Sequence, residues 1–354
     1  MAEFAQKTNP SMQDVARHAG VSIATVSNVL NRPEKVARLT TLKVRASIEA
    51  LGFVRNSAAR SLAVGSSTSL GIVVADIENS MFVDLTRGAQ RASNEAGRRV
   101  LIGNADCDIN QQDDYLDLFD EARVAGVLLA PMEDSTVGIQ RMRAHGRSIV
   151  LLNYSPDIGD ICSVLVDNEM AGYLAARHLI ETGRRSLAFV AGRDYYQPVH
   201  DRRAGVKRAV REAGDSVSLE EIDTRGLGRD DGEHVAGQLM MRRRELVPDG
   251  IIAVTDAIAN GLVAGIEGSS DVRVPRDVGV VGCEDNRSAT VGPLPLTTVR
   301  GPGIEMGAQA VALLLEEISD VDGSHQHRSV VLQPTLVIRS TTAPAQVSPT
   351  RRSA

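Results

Sequence analysis

The sequence predicts a small all-α head joined by a short linker to a two-lobed α/β body with parallel, doubly wound sheets. Three observations carry this. Residues 12–53 read as three short amphipathic helices separated by turn residues. Residues 55–68 are small and polar apart from one large apolar side chain, Leu62. From Leu70 onward, short unalternating apolar runs alternate with helix-length amphipathic stretches. At 354 residues and 43% apolar, the chain can bury the cores of two or three domains.

In the head, the first helix spans Met12 to Ala19 and turns Val15 and Ala16 inward. Gly20 supplies a tight turn, because glycine alone takes a positive φ there without steric cost. Ser22 is placed as an N-cap, its hydroxyl accepting a free amide of the next helix. That helix, Ile23 to Leu30, offers Val26, Val29 and Leu30 to a core, and Pro33 stops it. A third, about Thr40 to Leu51, carries Leu42, Val44, Ile48 and Leu51 on its apolar positions and ends at Gly52.

In the body, apolar runs stand at 70–75, 100–104, 127–130, 149–152, 163–166, 187–191, 250–254 and 278–282. Short strands without alternation, separated by helices, imply parallel sheets covered on both faces. About nine strands in two sets imply two similar lobes, with the chain crossing near 166 and again near 300. Ligands of such sheets sit beyond the carboxyl ends of the strands, here in the cleft between lobes.

Charge is unevenly distributed. The chain carries −6 overall, yet residues 1–65 hold nine basic groups against four acidic ones, so the head is +5 and the remainder −11. A basic module on an acidic body is the footprint of a nucleic-acid-binding head on a sensor. Cys107, Cys162 and Cys283 are scattered without CxxC spacing, which predicts a reducing, cytoplasmic compartment and neither disulfides nor zinc. His325 and His327 are close in sequence but have no cysteine or carboxylate beside them, and read as a solvent loop. The opening residues lack a basic stretch followed by an apolar run, and no run of about 18 apolar residues occurs, so neither a signal peptide nor a membrane partner is expected. Enzyme fingerprints are missing: no GxGxxG follows the first strand, and there is no GxxxxGK[ST], GxSxG or HExxH. The acidic series Asp106, Asp108, Asp113, Asp114 and Asp117 reads as the solvated start of a helix.

MQDVARHAGVSIATVSNVLN closely resembles the head of the LacI/GalR family of repressors, and the likeness continues through NSAARSLAVG and on to about residue 340. It implies a helix-turn-helix whose second helix sets its N-terminal residues against base edges in the major groove. Asn28 has the amide to pair with adenine, and Ala24 or Ile23 the apolar surface for a thymine methyl. Ser22 and Thr25 are better placed for phosphates, and Ser27 shares the face of Ile23, Ala24 and Asn28. Family members often carry arginine at the position of Asn28, so preference there should move away from guanine. Residues 57–63 match the family's hinge helix, with Leu62 on its minor-groove leucine and Asn56 on a backbone-contacting asparagine.

In the body, the likeness implies a periplasmic-binding-protein-like effector domain. DRRAGVKRAV aligns Arg202 with a ligand-clamping arginine, whose planar fork suits vicinal hydroxyls or a carboxylate. Four pocket positions depart from the family pattern. Asn153 stands for a common aspartate, Thr255 for an asparagine before Asp256, Glu284 for an aspartate, and Gly301 interrupts a segment that often reads RQP. Phe82 and Tyr195 or Tyr196 are the aromatic platforms on offer.

These readings give a flexible N-terminus at 1–10, a DNA-binding domain at 11–55, a hinge at 56–67, and an effector-binding domain at 68–340. Lobe 1 is placed at about 68–165 and 301–328, lobe 2 at about 166–300 and 329–340, and a disordered tail at 341–354. The expected protein is a cytoplasmic, nucleoid-associated, homodimeric regulator without cofactor, binding a palindromic double-stranded operator under control of a carbohydrate-like effector. The alternatives are a two-lobed binding protein without a DNA role, or a family regulator answering to a protein partner or to no ligand.

Overall fold

The structure, a computed structural model, describes residues 10–54, 68–132, 135–156, 160–192, 196–268, 271–320 and 322–342. The expected hinge, with Asn56 and Leu62, lies outside these residues, as do Tyr195 and residues 343–354. The chain divides into two compact units, Met1–Gly65 and Ser66–Ala354.

In the first unit, α1 (Met12–Ala19) opens on a capping box formed by Ser11 and Asp14, and Gly20 ends it at φ 64°. Helix α2 (Ile23–Asn31) begins at Ser22, whose hydroxyl accepts from the Thr25 amide at 3.1 Å. Helix α3 (Arg38–Leu51) ends at Gly52. Val15, Ala16, Ala19, Val26, Val29 and Val44 form the buried core, with Leu30, Ile48 and Leu51 packed around it. Leu42 is not part of that core: it is 56% exposed. It lies two residues, roughly 200° of helix rotation, from Val44. The inward position is taken instead by Ser47, buried and bonded to His18 Nδ1 at 3.0 Å.

The second unit holds two six-stranded sheets of the same design. In lobe 1, β1 (Ser69–Val74), β2 (Arg99–Asn104), β3 (Gly126–Leu129), β4 (Ser148–Leu152), β5 (Cys162–Val166) and β11 (Ser329–Leu332) lie in the order β11-β5-β4-β3-β1-β2. In lobe 2, β6 (Ser186–Ala191), β7 (Ser218–Asp223), β8 (Gly250–Ala253), β9 (Gly279–Glu284), β10 (Thr297–Arg300) and β12 (Thr335–Val337) lie in the order β12-β10-β9-β8-β6-β7. All pairings are parallel except β10 with β12. Each sheet thus places the second strand outside the first and the third on its other side. That switch opens a crevice at the carboxyl ends.

Three expectations are corrected. The described residues hold twelve strands rather than about nine. The polar edge strand β7, SLEEID, and the short β10, β11 and β12 carry no apolar run long enough to announce them. The last crossing falls at 333–334, after β11, because β11 pairs with β5 in lobe 1. Nor does the ordered chain end at 340: Thr341 and Thr342 are buried, the former donating to the Val280 carbonyl at 2.7 Å and the latter bonding His178 Nε2 at 2.8 Å.

The helices are α4 (Ser80–Glu95), α5 (Ile109–Glu121), α6 (Thr136–Ala144), α7 (Asn168–Glu181), α8 (Gln197–Ala213), α9 (Arg229–Met240), α10 (Asp256–Glu267), α11 (Ser288–Val291) and α12 (Gly303–Ser319). Three pairs, α4 with α12, α7 with α8, and α9 with α10, cross at backbone contact through reciprocal glycines. At the α7–α8 crossing, a Cβ on Gly172 would overlap the Arg202 carbonyl oxygen, and one on Gly205 the Glu169 carbonyl oxygen. Here glycine is required by close approach. Gly172→Ala should destabilise the protein by about 1–3 kcal/mol through overpacking and displace the backbone of Arg202. Denaturant unfolding measures the loss, and an unchanged midpoint would show that the crossing can relax.

Candidate functional site: recognition helix and interlobe cleft

On the head, the N-terminal part of α2 presents a surface free of core duty. Ser22, Ile23, Ala24 and Asn28 are exposed, while Thr25 and Ser27 are half-buried. Ile23, a large apolar residue at 47% exposure, makes no contribution to the core. Ser22 and Thr25 are partly committed to the cap, their hydroxyls 2.9 Å apart, and Ser27 Oγ accepts from Asn31. Helix position therefore follows from the cap and from Val26 and Val29, which leaves Asn28 and Ala24 available for recognition.

In the second unit, a cavity of about 920 Å³ opens at the carboxyl ends of both sheets. Six of the residues singled out in the sequence line it, namely Phe82, Asn153, Tyr196, Arg202, Thr255 and Glu284, whereas Gly301 is not part of its lining. Asp256 does not line it either. It is fully buried behind the wall, its carboxylate accepting from Thr298 Oγ1 at 2.6 Å and the Asn286 amide at 3.1 Å. The reason is local: Asp256 opens α10 against Gly282 of β9, and a Cβ on Gly282 would meet the Asp256 carboxylate.

The floor of the cleft is a continuous polar network. Arg202 is 6% exposed; its Nε donates to Asn168 Oδ1 at 3.0 Å and its Nη1 to the Val254 carbonyl at 2.6 Å, with Glu284 at 4.0 Å. Asn168 in turn donates to Asn153 Oδ1 at 2.9 Å. Glu284 accepts from Asn286 and from Asn79, each at 2.8 Å. Because Asn79 caps α4 in lobe 1 and Glu284 ends β9 in lobe 2, this last bond joins the lobes. A second link pairs Gln197 of lobe 2 with the Ser155 backbone of lobe 1, at 2.6 and 3.2 Å.

Sequence reading did not find Asn79, Asn168 or Asn286. Each follows an apolar strand end within a short polar segment, the only signal available, and many solvent-facing asparagines share it. Thr255, read as a pocket residue, is also the N-cap of α10, accepting from Ile258 and donating to the Leu227 carbonyl at 2.9 Å. Backbone strain is concentrated here: of the five non-glycine residues at positive φ among the described residues, Asp106, Cys107 and Asn153 line the cleft and Asp285 follows Glu284.

Electrostatics reflect the burial. Burial pushes both the Asp256 and Glu284 carboxyls up; Asp256 is raised further by the Glu284 charge, whereas Arg202 opposes the rise at Glu284. Burial also raises the Tyr196 hydroxyl. No described helix is long and apolar enough to cross a membrane.

A helix-turn-helix head followed by a two-lobed unit with a ligand cleft defines a DNA-binding regulator with a ligand-binding domain rather than an enzyme. Residues 11–56 match bacterial regulatory proteins of the lacI family, and residues 176–342 match the periplasmic binding protein-like domain. The HTH-type transcriptional repressor PurR of Vibrio atlanticus is 30% identical over 94% of this chain and 98% of its own length. The lac repressor dimer bound to operator and the anti-inducer ONPF superposes with a TM-score of 0.78 at 23% identity, over 95% of this chain and all of that one. A LacI family regulator from Enterococcus faecium with bound ribose gives 0.69 at 26%, over 78% of this chain and all of that one. The chain belongs to the lacI family of transcription regulators.

The raised Asp256 carboxyl has a stability consequence. The folded state favours its protonated form, so its contribution is fully present below the ordinary carboxylate range and is lost as pH rises through the folded value. The melting temperature of Asp256→Asn relative to the parent should therefore be more favourable at about pH 8 than at about pH 5. A pH-independent difference would mean that the buried carboxylate is fully compensated by Thr298 and Asn286.

Proposed function

We propose that this chain is a cytoplasmic repressor that binds a palindromic DNA operator as a homodimer and responds to a carbohydrate-like effector in the interlobe cleft. The observation that carries this is the exposed face of α2, Ile23, Ala24 and Asn28, which no packing requirement accounts for. On this reading Asn28 contacts adenine, Ala24 and Ile23 a thymine methyl, and Ser22, Thr25 and Ser27 assist at the backbone. Leu62 is assigned from sequence alone as a wedge in the minor groove, and Asn56 as a backbone contact.

The dimer reading is supported by β2, an edge strand on which Leu101 and Ile102 are 41% and 49% exposed. The effector reading is supported by the cleft's volume, its amides and carboxylates, and the aromatic faces of Phe82 and Tyr196. Ribose bound to the Enterococcus faecium relative supports the same class.

Selection from random duplex DNA with the full-length chain should enrich a palindrome of roughly 14–20 base pairs. Asn28→Ala should relax specificity at one base pair in each half-site, costing about 1–3 kcal/mol. Enrichment of the same site with unchanged preference would remove Asn28 from recognition. For the cleft, Arg202→Ala should abolish the effector's influence on operator binding. It should also cost about 3–5 kcal/mol of stability, since Glu284 is left buried without its cation. A full dose response in the folded variant would place the effector elsewhere.

A further inference from the structure

The solvent-loop reading of His325 and His327 does not survive the fold. Cys162, at the start of β5, and Glu317, in the last turn of α12, come to both imidazoles. One donor atom from each of the four residues lies within 4.8 Å of all the others. Cys162 Sγ is 3.2 Å from His325 Nε2 and 3.7 Å from His327 Nδ1, and the two rings meet edge to face. Glu317 Oε2 is buried and, among the described residues, has no hydrogen-bond partner. A buried acceptor left unsatisfied is costly, so one on a carboxylate that joins a cluster of donor atoms calls for an occupant.

We propose that Cys162, Glu317, His325 and His327 form a structural Zn²⁺ site. The chemistry of the set selects the ion: a thiolate and two imidazoles suit a borderline-soft cation and not calcium or magnesium, which take oxygen donors. Zinc–sulfur and zinc–nitrogen bonds of about 2.3 and 2.0–2.1 Å in a tetrahedron separate their donors by roughly 3.5 Å. The two thiol–imidazole distances straddle that value. Four protein donors leave no open position, which marks a structural rather than a catalytic site. The loop is already shaped for the task, because Asp320 accepts from the His325 amide at 2.8 Å and from Ser324 Oγ at 3.1 Å. On binding, the thiol releases its proton and Sγ, Nε2, Nδ1 and Oε2 each donate a lone pair to the metal; nothing is oxidised or reduced.

The site ties the loop between α12 and β11 to the start of β5. Those two strands pair in parallel, from Ser163 opposite Ser329 to Val166 opposite Leu332. Both leave lobe 1 for lobe 2 at their far ends. Zinc at this point would fix the register of two of the three interlobe strands from the end remote from the cleft.

The test uses untagged full-length protein, stripped with chelator and titrated with zinc chloride in competition with a chromophoric chelator. One zinc per chain is expected, and cobalt in its place should show a thiolate-to-metal charge-transfer band. Cys162→Ser should abolish the band and weaken zinc by more than about a hundredfold, since even outer-shell partners of such sites are worth about 10–100-fold. His325→Gln, on the surface loop, should weaken zinc comparably and decides the matter where the cysteine variant fails to fold. Absence of stoichiometric zinc, cobalt binding without the band, or unchanged affinity in His325→Gln would each overturn the assignment.

Discussion

A guanidinium buried in a protein interior must find its hydrogen-bond partners there, and in this chain Arg202 imposes that condition on most of the second unit. Its donors reach the Val254 carbonyl at the end of β8 and Asn168 at the start of α7. Its charge faces Glu284 at the end of β9. Three strand-to-helix junctions are therefore positioned by one side chain. The partners are themselves constrained: Asn168 is shared with Asn153, and Glu284 with Asn79 and Asn286. Buried ionic groups seldom add net stability, and their better-attested role is to specify one arrangement among several. Here that arrangement is the relation of the lobes.

The same demand explains the glycines. Helix α8 can hold Arg202 beneath the cleft only if its backbone lies against α7, and Gly172 with Gly205 permits this. The repetition of the device at α4–α12 and α9–α10 shows that each lobe uses close helix pairs to cover a narrow parallel sheet. Small residues at a crossing trade side-chain packing for backbone contact, so the helix ends that line the cleft are set by steric contact rather than by adaptable side chains.

Legibility in the sequence followed the range of each interaction. Caps, turns and apolar strand runs are local, and Ser22, Gly20 and the central strands were all readable. Edge strand β7 was not, since four of its six residues are polar and only Leu219 and Ile222 pack against the core. Leu42 misled because an apolar residue in a helix looks alike on either face until the partner helix is known. The cleft was legible where a single residue type carries the chemistry, as at Arg202, and illegible where position alone matters, as at Asn79 and Asn286. Cys162 and the two histidines show the limit most sharply: more than 160 residues separate them, so no spacing rule could join them.

On the proposed reading, the bonds from Asn79 to Glu284 and from Gln197 to Ser155 bear directly on signalling. They join the lobes through protein groups, and an effector shifts the equilibrium only by the difference between its contacts in the two arrangements. A ligand that merely replaces the Asn79 bond with an equivalent one changes little. One that satisfies Glu284, Asn153 and Asn79 together in a single arrangement favours it over the other. The departures from the family pattern act on this balance. Glutamate at 284 reaches Asn79 across the cleft, and threonine at 255 commits its hydroxyl to a helix cap. With one side chain spanning the gap and another withdrawn from it, the cleft favours a ligand that competes for Glu284, and a hydroxyl-rich molecule able to donate to that carboxylate while accepting from Asn79 meets the requirement.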